Sequence, residues 1–482
     1  FNNLYKGIDY YSLPTLQARF YAYNNNFNRT HRGITLNGGV AAKLLSNNFN
    51  TLGVYAIATN TASYGIFADA AIGARIKGNT FVSTFNTPQN YNEFRSYGVI
   101  LRNTGSNNYE TTLKDNAFSG GLAVANNFDG DNNNMLIDCN TYANNILWDW
   151  SINNLSNTTN TLENQGACPI PGQTPDPALA RRNSFHNTTL TNVGTVPSLH
   201  IVSGLTGAFE YRAQSDAFKP TTNIGNINAF TCSYPAGTII ESQCAADNTP
   251  PDPDGLRMAI DNTTDPREKV SKYTDLIHAR LDLNQTNEAK ADLEEEARTI
   301  SNKVLAATYY DEGDLLKAAD YLAQIPLSDP ENEEFYNLFM QLMGNNGGRI
   351  DMTTLNNLAK QQSRSGSVLA QTVIAERNNV LFDKNIALPK LLPNATNAVA
   401  ANSLFRLYPN PATTQVALEL NSNIANNPTL TIRITDIMGK TVYSGLVNNT
   451  QIHTITYPTG MYIVQLLNNG ATIDTQRLTI VR

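Results

Sequence analysis

Short runs of alternating apolar and polar residues dominate the first 150 positions. Ile34 and Leu36 flank Thr35, and Val99 and Leu101 repeat the same spacing of two. Successive strand residues point to opposite faces, so this spacing predicts short strands rather than helices. Two motifs punctuate the runs. One is Gly followed by an aliphatic residue: Gly7-Ile8, Gly33-Ile34, Gly65-Ile66, Gly98-Val99 and Gly121-Leu122. The other is Asn-x-aromatic: Asn25-x-Phe27, Asn47-x-Phe49, Asn79-x-Phe81, Asn116-x-Phe118 and Asn140-x-Tyr142. They alternate without exception, and successive glycines lie 26, 32, 33 and 23 residues apart. Such units cannot bury an inner face alone, whereas stacking them makes one continuous core. The expected stack places each Phe inside on the next. Each Asn sits at a corner, bonding neighbouring backbone and adopting left-handed φ, and each Gly supplies a corner where no Cβ fits. Phe1-Asn2 to Gly7-Ile8 matches Phe27-Asn28 to Gly33-Ile34 in register, so the chain is expected to open inside a repeat, as the C-terminal part of a longer processed product.

This alternation resembles the right-handed parallel β-helix repeat proteins, an architecture shared with pectate lyases. The resemblance implies a fold for residues 1–150 and no particular activity. From 151 to 250 the regular repeat fails, and a capping segment is expected there, because repeat arrays need an atypical end over the last rung. The four cysteines are Cys139, Cys168, Cys232 and Cys244, with no CxxC pair to suggest zinc. Cys139 reads as a buried thiol. A disulfide is expected within 168–244, with Cys232 and Cys244 the preferred pair because they close a short loop.

Residues 251–264 read as a stiff, turn-rich linker around Asn248–Gly255. The period then changes from two to 3.6. Asp265-Pro266-Arg267-Glu268 is a helix start, with a capping Asp, Pro at the first turn and Glu three residues after the cap. Val270, Tyr273 and Ile277 share a face, so 265–384 is expected to be an α-helical domain. Its Asp311–Pro326 stretch is weakly like a tetratricopeptide helix pair. A second linker is expected at 385–403.

Residues 404–482 return to strand patterns, with candidates at Gln415–Leu420, Thr429–Thr435, Lys440–Leu446, His453–Thr456, Met461–Asn468 and Ala471–Val481, and a hairpin turn at Asn469-Gly470. Pro409 and Pro411 pin an extended lead-in strand, and Gly439 and Gly460 sit where positive φ is expected. The module resembles the type A sorting domain of type IX secretion. The matching elements are Tyr408-Pro409-Asn410-Pro411, Asp436-Ile437-Met438-Gly439-Lys440, Pro458-Thr459-Gly460-Met461-Tyr462 and a last strand closing on Arg482. This resemblance implies an Ig-like β-sandwich recognised by the type IX translocon and sorting machinery, in a surface protein of the kind Bacteroidetes export. The expected fold class is therefore mainly β and multidomain: a parallel β-helix, a helical segment, then the sandwich.

Composition narrows the partners. Charged residues make up 16% of the 482, against a usual share of about 25%. The net charge of -7 lacks the basic footprint that nucleic acid or an anionic membrane requires. No apolar run approaches the roughly 18 residues of a membrane span. The acidic candidates on the repeat are Asp69, Glu93, Asp115, Asp129, Asp131 and Asp138, and they show no common repeat position. Asp129-Gly130-Asp131 reads as a structural turn. Its alternative is a structural calcium site, although two carboxylates fall short of six to eight oxygens. His31, His186, His200, His278 and His453 pair with no Ser or Cys in a catalytic motif, and His31 reads as a solvated loop. Tyr10, Tyr11, Tyr91, Trp148 and Trp150 are candidate sugar-stacking aromatics, with Trp148 and Trp150 expected to pack against the cap.

The favoured reading is a non-catalytic adhesive, structural or glycan-binding surface protein without a cofactor, whose partners include cell-surface glycans or other surface proteins. One alternative is a polysaccharide lyase or hydrolase on the same fold. The other is a scaffold docking a partner protein through the helical segment.

Overall fold

The computed structural model describes residues 1–2, 4–52, 62–83, 96–105, 109–143, 148–153, 162–168, 180–186, 189–190, 194–195, 199–201, 209–220, 223–224, 226–234, 252–296, 299–344, 352–361, 365–378, 380, 382, 404–408, 410, 412–420, 429–436, 440–447, 451–453, 456–469 and 471–481. Two compact units emerge, Phe1–Pro389 and Lys390–Arg482. The first is parallel β followed by helices, and the second is antiparallel β.

Three parallel sheets run through the first unit, and the chain visits them in rotation. Sheet 1 takes Lys6–Ser12, Arg32–Gly38, Ser63–Asp69, Ser96–Arg102, Val124–Asp129, Trp148–Asn153, Leu199–Ile201 and Asn223–Ile224. Sheet 2 takes Tyr21–Tyr23, Lys43–Leu45, Arg75–Lys77, Thr111–Lys114 and Met135–Asp138. Sheet 3 takes Asn26–Asn28, Asn48–Leu52, Thr80–Ser83, Ala117–Ser119 and Thr141–Tyr142. Each passage through the three sheets makes one coil, and coils stack in register.

The motifs meet inside this stack. Phe1, Phe27, Phe49, Phe81, Phe118, Tyr142 and Phe185 form one column, with successive centroids 4.6, 4.7, 4.9, 4.9, 5.2 and 5.5 Å apart. The expected inward stack at 27, 49, 81 and 118 is present, and all four rings are buried. Beside it runs a column of amides. The Nδ2 of Asn47 donates to Asn79 Oδ1 (3.0 Å) and to the Ala22 carbonyl (2.9 Å). Asn79, Asn116 and Asn140 repeat the pattern, each donating to the next Oδ1, and the column ends where Asn183 donates to Tyr211 Oη at 3.1 Å. Each Asn thus satisfies a buried carbonyl and its neighbour's amide together, as buried polar groups require. The left-handed residue is the one before each Asn: Asn24, Ser46, Gly78, Asp115 and Cys139 have φ of 58°, 55°, 68°, 57° and 58°.

The glycines lie within the sheet 1 strands and not at corners. A Cβ on Gly33 would come 2.5 Å from Phe49 Cε1, and one on Gly65 would come 2.4 Å from Phe81 Cδ1. The aromatic of each coil lies against the glycine backbone of the same coil, which is why the two motifs alternate. Gly121 is outside this register. In the fifth coil Ala125 holds the position, its carbonyl 2.7 Å from a Cβ built on Gly98.

The stack does not stop at 150. Asn183-Ser184-Phe185 is a sixth copy of Asn-x-aromatic, and Ser184 bridges Thr141 in parallel. Sheet 1 also continues through Leu199–Ile201. A disulfide does close this region, but it joins Cys168 to Cys232 across 64 residues, and the expected Cys232–Cys244 pairing is wrong. Cys244 lies outside the described residues. Cys139 is disulfide-bonded too, so it is not a buried thiol.

Helices follow: α1 (Pro253–Asn262), α2 (Pro266–Asp282), α3 (Thr286–Glu296), α4 (Thr299–Asp311), α5 (Leu315–Leu322), α6 (Pro330–Gly344), α7 (Met352–Lys360) and α8 (Ser365–Asn378). The linker expected over 251–264 is largely α1, because Asp252 caps the helix by accepting from Gly255 N and Pro253 takes the first turn. Asp265 caps α2 as expected, accepting from the amides of Arg267 and Glu268.

The helices form no separate body. Helix α2 runs down the outside of the stack against the coil order. Arg267 pairs with Glu163, Ser271 Oγ donates to Glu110 (3.1 Å), Asp275 pairs with Arg75, His278 meets the Gly73 carbonyl (2.8 Å) and Asp282 pairs with Lys43. A helix rises about 5.4 Å per turn and strands lie about 4.8 Å apart, so the helix can follow the coils one after another, with Asp275 and His278 both meeting the third. Leu16, Val40, Ala41 and Tyr109 of the stack share a core with Ile277, Leu281, Leu293 and Val304. Helix α8 covers the first two sheet 1 strands, and Asn37 Nδ2 donates to the Val368 carbonyl at 3.2 Å.

In the second unit, strands Phe405–Tyr408, Gln415–Leu420 and Gln451–His453 form one antiparallel sheet. Thr441–Leu446, Leu430–Asp436, Gly460–Asn468 and Ala471–Ile480 form another. Both contribute to one core containing Phe405, Val416, Ile434, Val464 and Ile480.

Candidate functional site

Strand alternation sends every other side chain outward, and burial decides which of these reach solvent. On sheet 1 very little does: Arg32–Gly38, Ser63–Asp69, Ser96–Arg102 and Val124–Asp129 are buried along both faces. One outward row there does align carboxylates, contrary to the expectation that they share no position. Asn37, Asp69, Arg102 and Asp129 are register partners in successive coils. The Arg102 Nε donates to Asp129 Oδ2 at 2.9 Å, its NH1 lies 3.9 Å from Asp69, and its guanidinium lies 5.0 Å from the Phe67 ring centroid. The cation that these acids need comes from the chain. Asp131 turns elsewhere, accepting from Asn133 N at 3.2 Å in a local turn. Among the described residues no group of three or more His, Cys, Asp or Glu gathers as a metal site.

The remaining acids and histidines are similarly engaged. Asp138 accepts from Arg182 NH2 (2.8 Å) and from its backbone amide (2.6 Å). Asp115 lies 3.8 Å from Lys77. Glu93 and Tyr91 lie outside the described residues. His186 Nδ1 sits 2.5 Å from Asp149, and both side chains are fully buried. Burial pushes Asp149 up to about 6, with the His186 contacts opposing. His31 is no solvated loop: it is buried and stacked on Tyr5 at 4.9 Å. Burial, then neighbouring Arg32, lowers it to about 4, so it is neutral at pH 7. Burial likewise lowers His278. The side chains of His200 and His453 lie outside the description.

Sheet 3 and part of sheet 2 present the more open surface, since α2 meets sheet 2 at Lys43 and Arg75 and Tyr21 Oη reaches Asp282 of that helix at 3.5 Å. Ala22 points into the core, so Tyr21 and Tyr23 point out, with exposures of 48% and 67%. The ring of Tyr21 lies beside Lys43 Nζ at 5.6 Å. One corner further on, Asn26 and Asn28 flank buried Phe27, and Asn48 and Asn50 flank Phe49. Asn50 Nδ2 donates to Asn26 Oδ1 at 3.0 Å. Register carries one outward row as Asn26, Asn48, Thr80, Ala117 and Thr141. That row holds amides, hydroxyls and a methyl, with no charge. The sugar-stacking candidates named from sequence lie elsewhere. Trp148 and Trp150 are buried and Tyr11 bonds Phe382, while Tyr10 is half-buried against Phe20. The signal that finds Tyr21 and Tyr23 is their place on either side of an inward Ala.

The second unit organises the other sequence candidates. Asn410 clips the last strand, its Nδ2 donating to Arg477 O (2.6 Å) and its Oδ1 accepting from Thr479 N (2.9 Å). Asp436 Oδ1 accepts from Lys440 N at 2.9 Å. Tyr462 is buried in the core with its hydroxyl donating to the Pro458 carbonyl at 2.8 Å. Gly460 opens its strand at φ 158°. Tyr408 stands 76% exposed. Pro409, Pro411, Gly439 and Arg482 lie outside the described residues.

A family model described as a secretion system C-terminal sorting domain matches residues 406–481. No curated protein and no solved structure matches the chain significantly. The module marks the chain for type IX secretion, so the protein is secreted or held at the cell surface. No helix among the described residues is long and apolar enough to cross a membrane.

Proposed function

We propose that the first unit is a right-handed parallel β-helix that acts without catalysis as a surface adhesin for uncharged glycan, delivered by an Ig-like sorting module. The observation that carries this reading is the pair of exposed rings of Tyr21 and Tyr23, at the edge of the α2 seam, together with the uncharged Asn26–Thr141 row. Aromatic rings offer an apolar face to a sugar ring, and Asn and Thr supply adaptable hydrogen bonds to hydroxyls. Among the described acids of the stack, Asp69, Asp129 and Asp138 are buried beside arginines and Asp131 is held in a local turn, which favours binding over turnover. Helices α2 and α8 pack against the stack, which argues against the segment serving mainly as a partner scaffold.

The test is co-sedimentation of the full chain with insoluble neutral polysaccharides, together with a glycan array. Tyr21→Ala/Tyr23→Ala should lose at least about ten-fold in affinity, as expected for removing about 1.4 kcal/mol or more of stacking. Equal binding by that variant, or loss of polymer viscosity on incubation, would contradict the reading.

A further inference from the structure

The two edges of the four-stranded sheet in the sorting module are treated differently. On the Ala471–Ile480 side, Leu404, Phe405, Asn410 and Ala412 bond the edge. Leu404 N donates to Asp474 Oδ2 (2.7 Å), Gln476 Nε2 donates to the Phe405 carbonyl, and Asn410 bonds Arg477 and Thr479. Ala412 N then donates to Thr479 O (2.8 Å), and Val481 N donates to Ala412 O (2.9 Å). On the other side Thr441–Leu446 pairs only with Leu430–Asp436 among the described residues.

The direction of its unpaired groups follows from one bond. Val447 N donates to Leu430 O at 3.0 Å, so residue 447 faces its partner strand. Backbone groups alternate along an antiparallel pair, so Gly445 and Tyr443 face inward with it, and Leu446 and Ser444 turn their N–H and C=O away. Natural edges are normally blunted by lysine, proline, a covering segment or inward charge. The run Thr441-Val442-Tyr443-Ser444-Gly445-Leu446 has no charge and no proline, and Leu446 is 51% exposed. An uncharged edge left unpaired among the described residues is the template for strand addition, in which main-chain bonds supply affinity and alternate side chains supply specificity.

We propose that Thr441–Leu446 is the recognition edge of the module, and that it takes an extended strand from a protein of the type IX export machinery. This rests on reading the module as the export signal. The family match makes that machinery the partner that must contact this unit in every cargo, and an edge whose bonds are mostly main-chain suits a receptor for cargoes of differing sequence.

The test uses the full chain in a host with the pathway, comparing wild type with Ser444→Pro. Proline is compatible with an edge strand where its missing N–H faced outward. The fraction at the surface is read by protease accessibility, and the purified variant is checked by thermal melting. The expected result is an unchanged melt and at least a ten-fold fall in surface protein, with accumulation in the periplasm. Where Ser444→Pro lowers the melt, Ser444→Lys/Leu446→Lys replaces it, keeping the backbone and adding the charge that discourages pairing; the same fall is expected. Normal display of a folded variant overturns the proposal. A purified wild-type dimer that Ser444→Pro dissociates also overturns it, because the edge then pairs with its own copy. Wild type retained in the periplasm would instead remove the export reading beneath it.

Discussion

The stacked coils and the C-terminal module solve the same problem, burying strands, in opposite ways. In the stack the repeated inward positions meet their own kind above and below, Phe on Phe and Asn on Asn, with each Gly backbone against the ring of its own coil. In the module Phe405, Ile434, Val464 and Ile480 come from four strands to a single core. Repetition makes the first architecture nearly one-dimensional, so its stability is a sum of neighbour terms. The second is cooperative as a whole. A cargo built from coils can vary in length and surface, whereas a signal read by one machinery has to keep one shape.

The sharpest way to break this comparison is to remove one ring from the middle of the column. Phe81→Ala should cost about 3–5 kcal/mol in chemical denaturation, since Phe81 is fully buried between Phe49 and Phe118. Tyr23 stands 67% exposed on sheet 2, so Tyr23→Ala should cost about 1 kcal/mol or less. Equal costs would contradict an inward-facing column. In the module, Leu466→Ala should cost about 2–5 kcal/mol. Calorimetry should show that loss in one transition only, leaving the transition of unit 1 unmoved. A shift of both would mean that the two units do not melt independently.

Next in size is the amide column. Asn79→Ala removes the acceptor used by the backbone and side-chain amides of Asn47 and a donor to Leu44 O. Leaving such groups unpaired should cost about 1–3 kcal/mol by denaturant titration. The smallest effect concerns the seam with α2. Burial, opposed mainly by Arg181, raises Glu110 to about 7. A folded value above the unfolded 4.5 means that its contribution is present below pH 4.5 and is lost as pH rises through about 7. Glu110→Gln keeps the acceptor for Ser271 and should flatten the decline in melting temperature between pH 4.5 and 7. An unchanged pH profile would show that Glu110 is not the group responsible.

How much of this was legible depended on repetition. Asn-x-Phe announced itself because the same contact is made in every coil. The position of the glycine did not, since spacing tells that a residue recurs and not which wall it occupies. Asn183-Ser184-Phe185 was passed over because 43 residues separate it from Asn140, longer than any earlier interval. Cys232 was paired with Cys244 by proximity along the chain, whereas stacking brings Cys168 within a Cα separation of 5.2 Å. The Asp252-Pro253 pair looks the same in a linker and at a helix start. Helical periodicity marked Val270, Tyr273 and Ile277 as one face without saying that coils would cover Ile277. Tyr21 and Tyr23 were missed for a related reason, since tyrosine serves equally in a core and on a surface.

The account turns on the module directing export while the stack folds without it. The direct measurement is cell fractionation of a host with the pathway expressing either the full chain or a chain ending at 389, the boundary of the first unit. The full chain should reach the surface. The truncated chain should remain in the periplasm, with the Cys168–Cys232 disulfide intact and the same melting transition for the first unit. Surface display of the truncated chain would contradict the account.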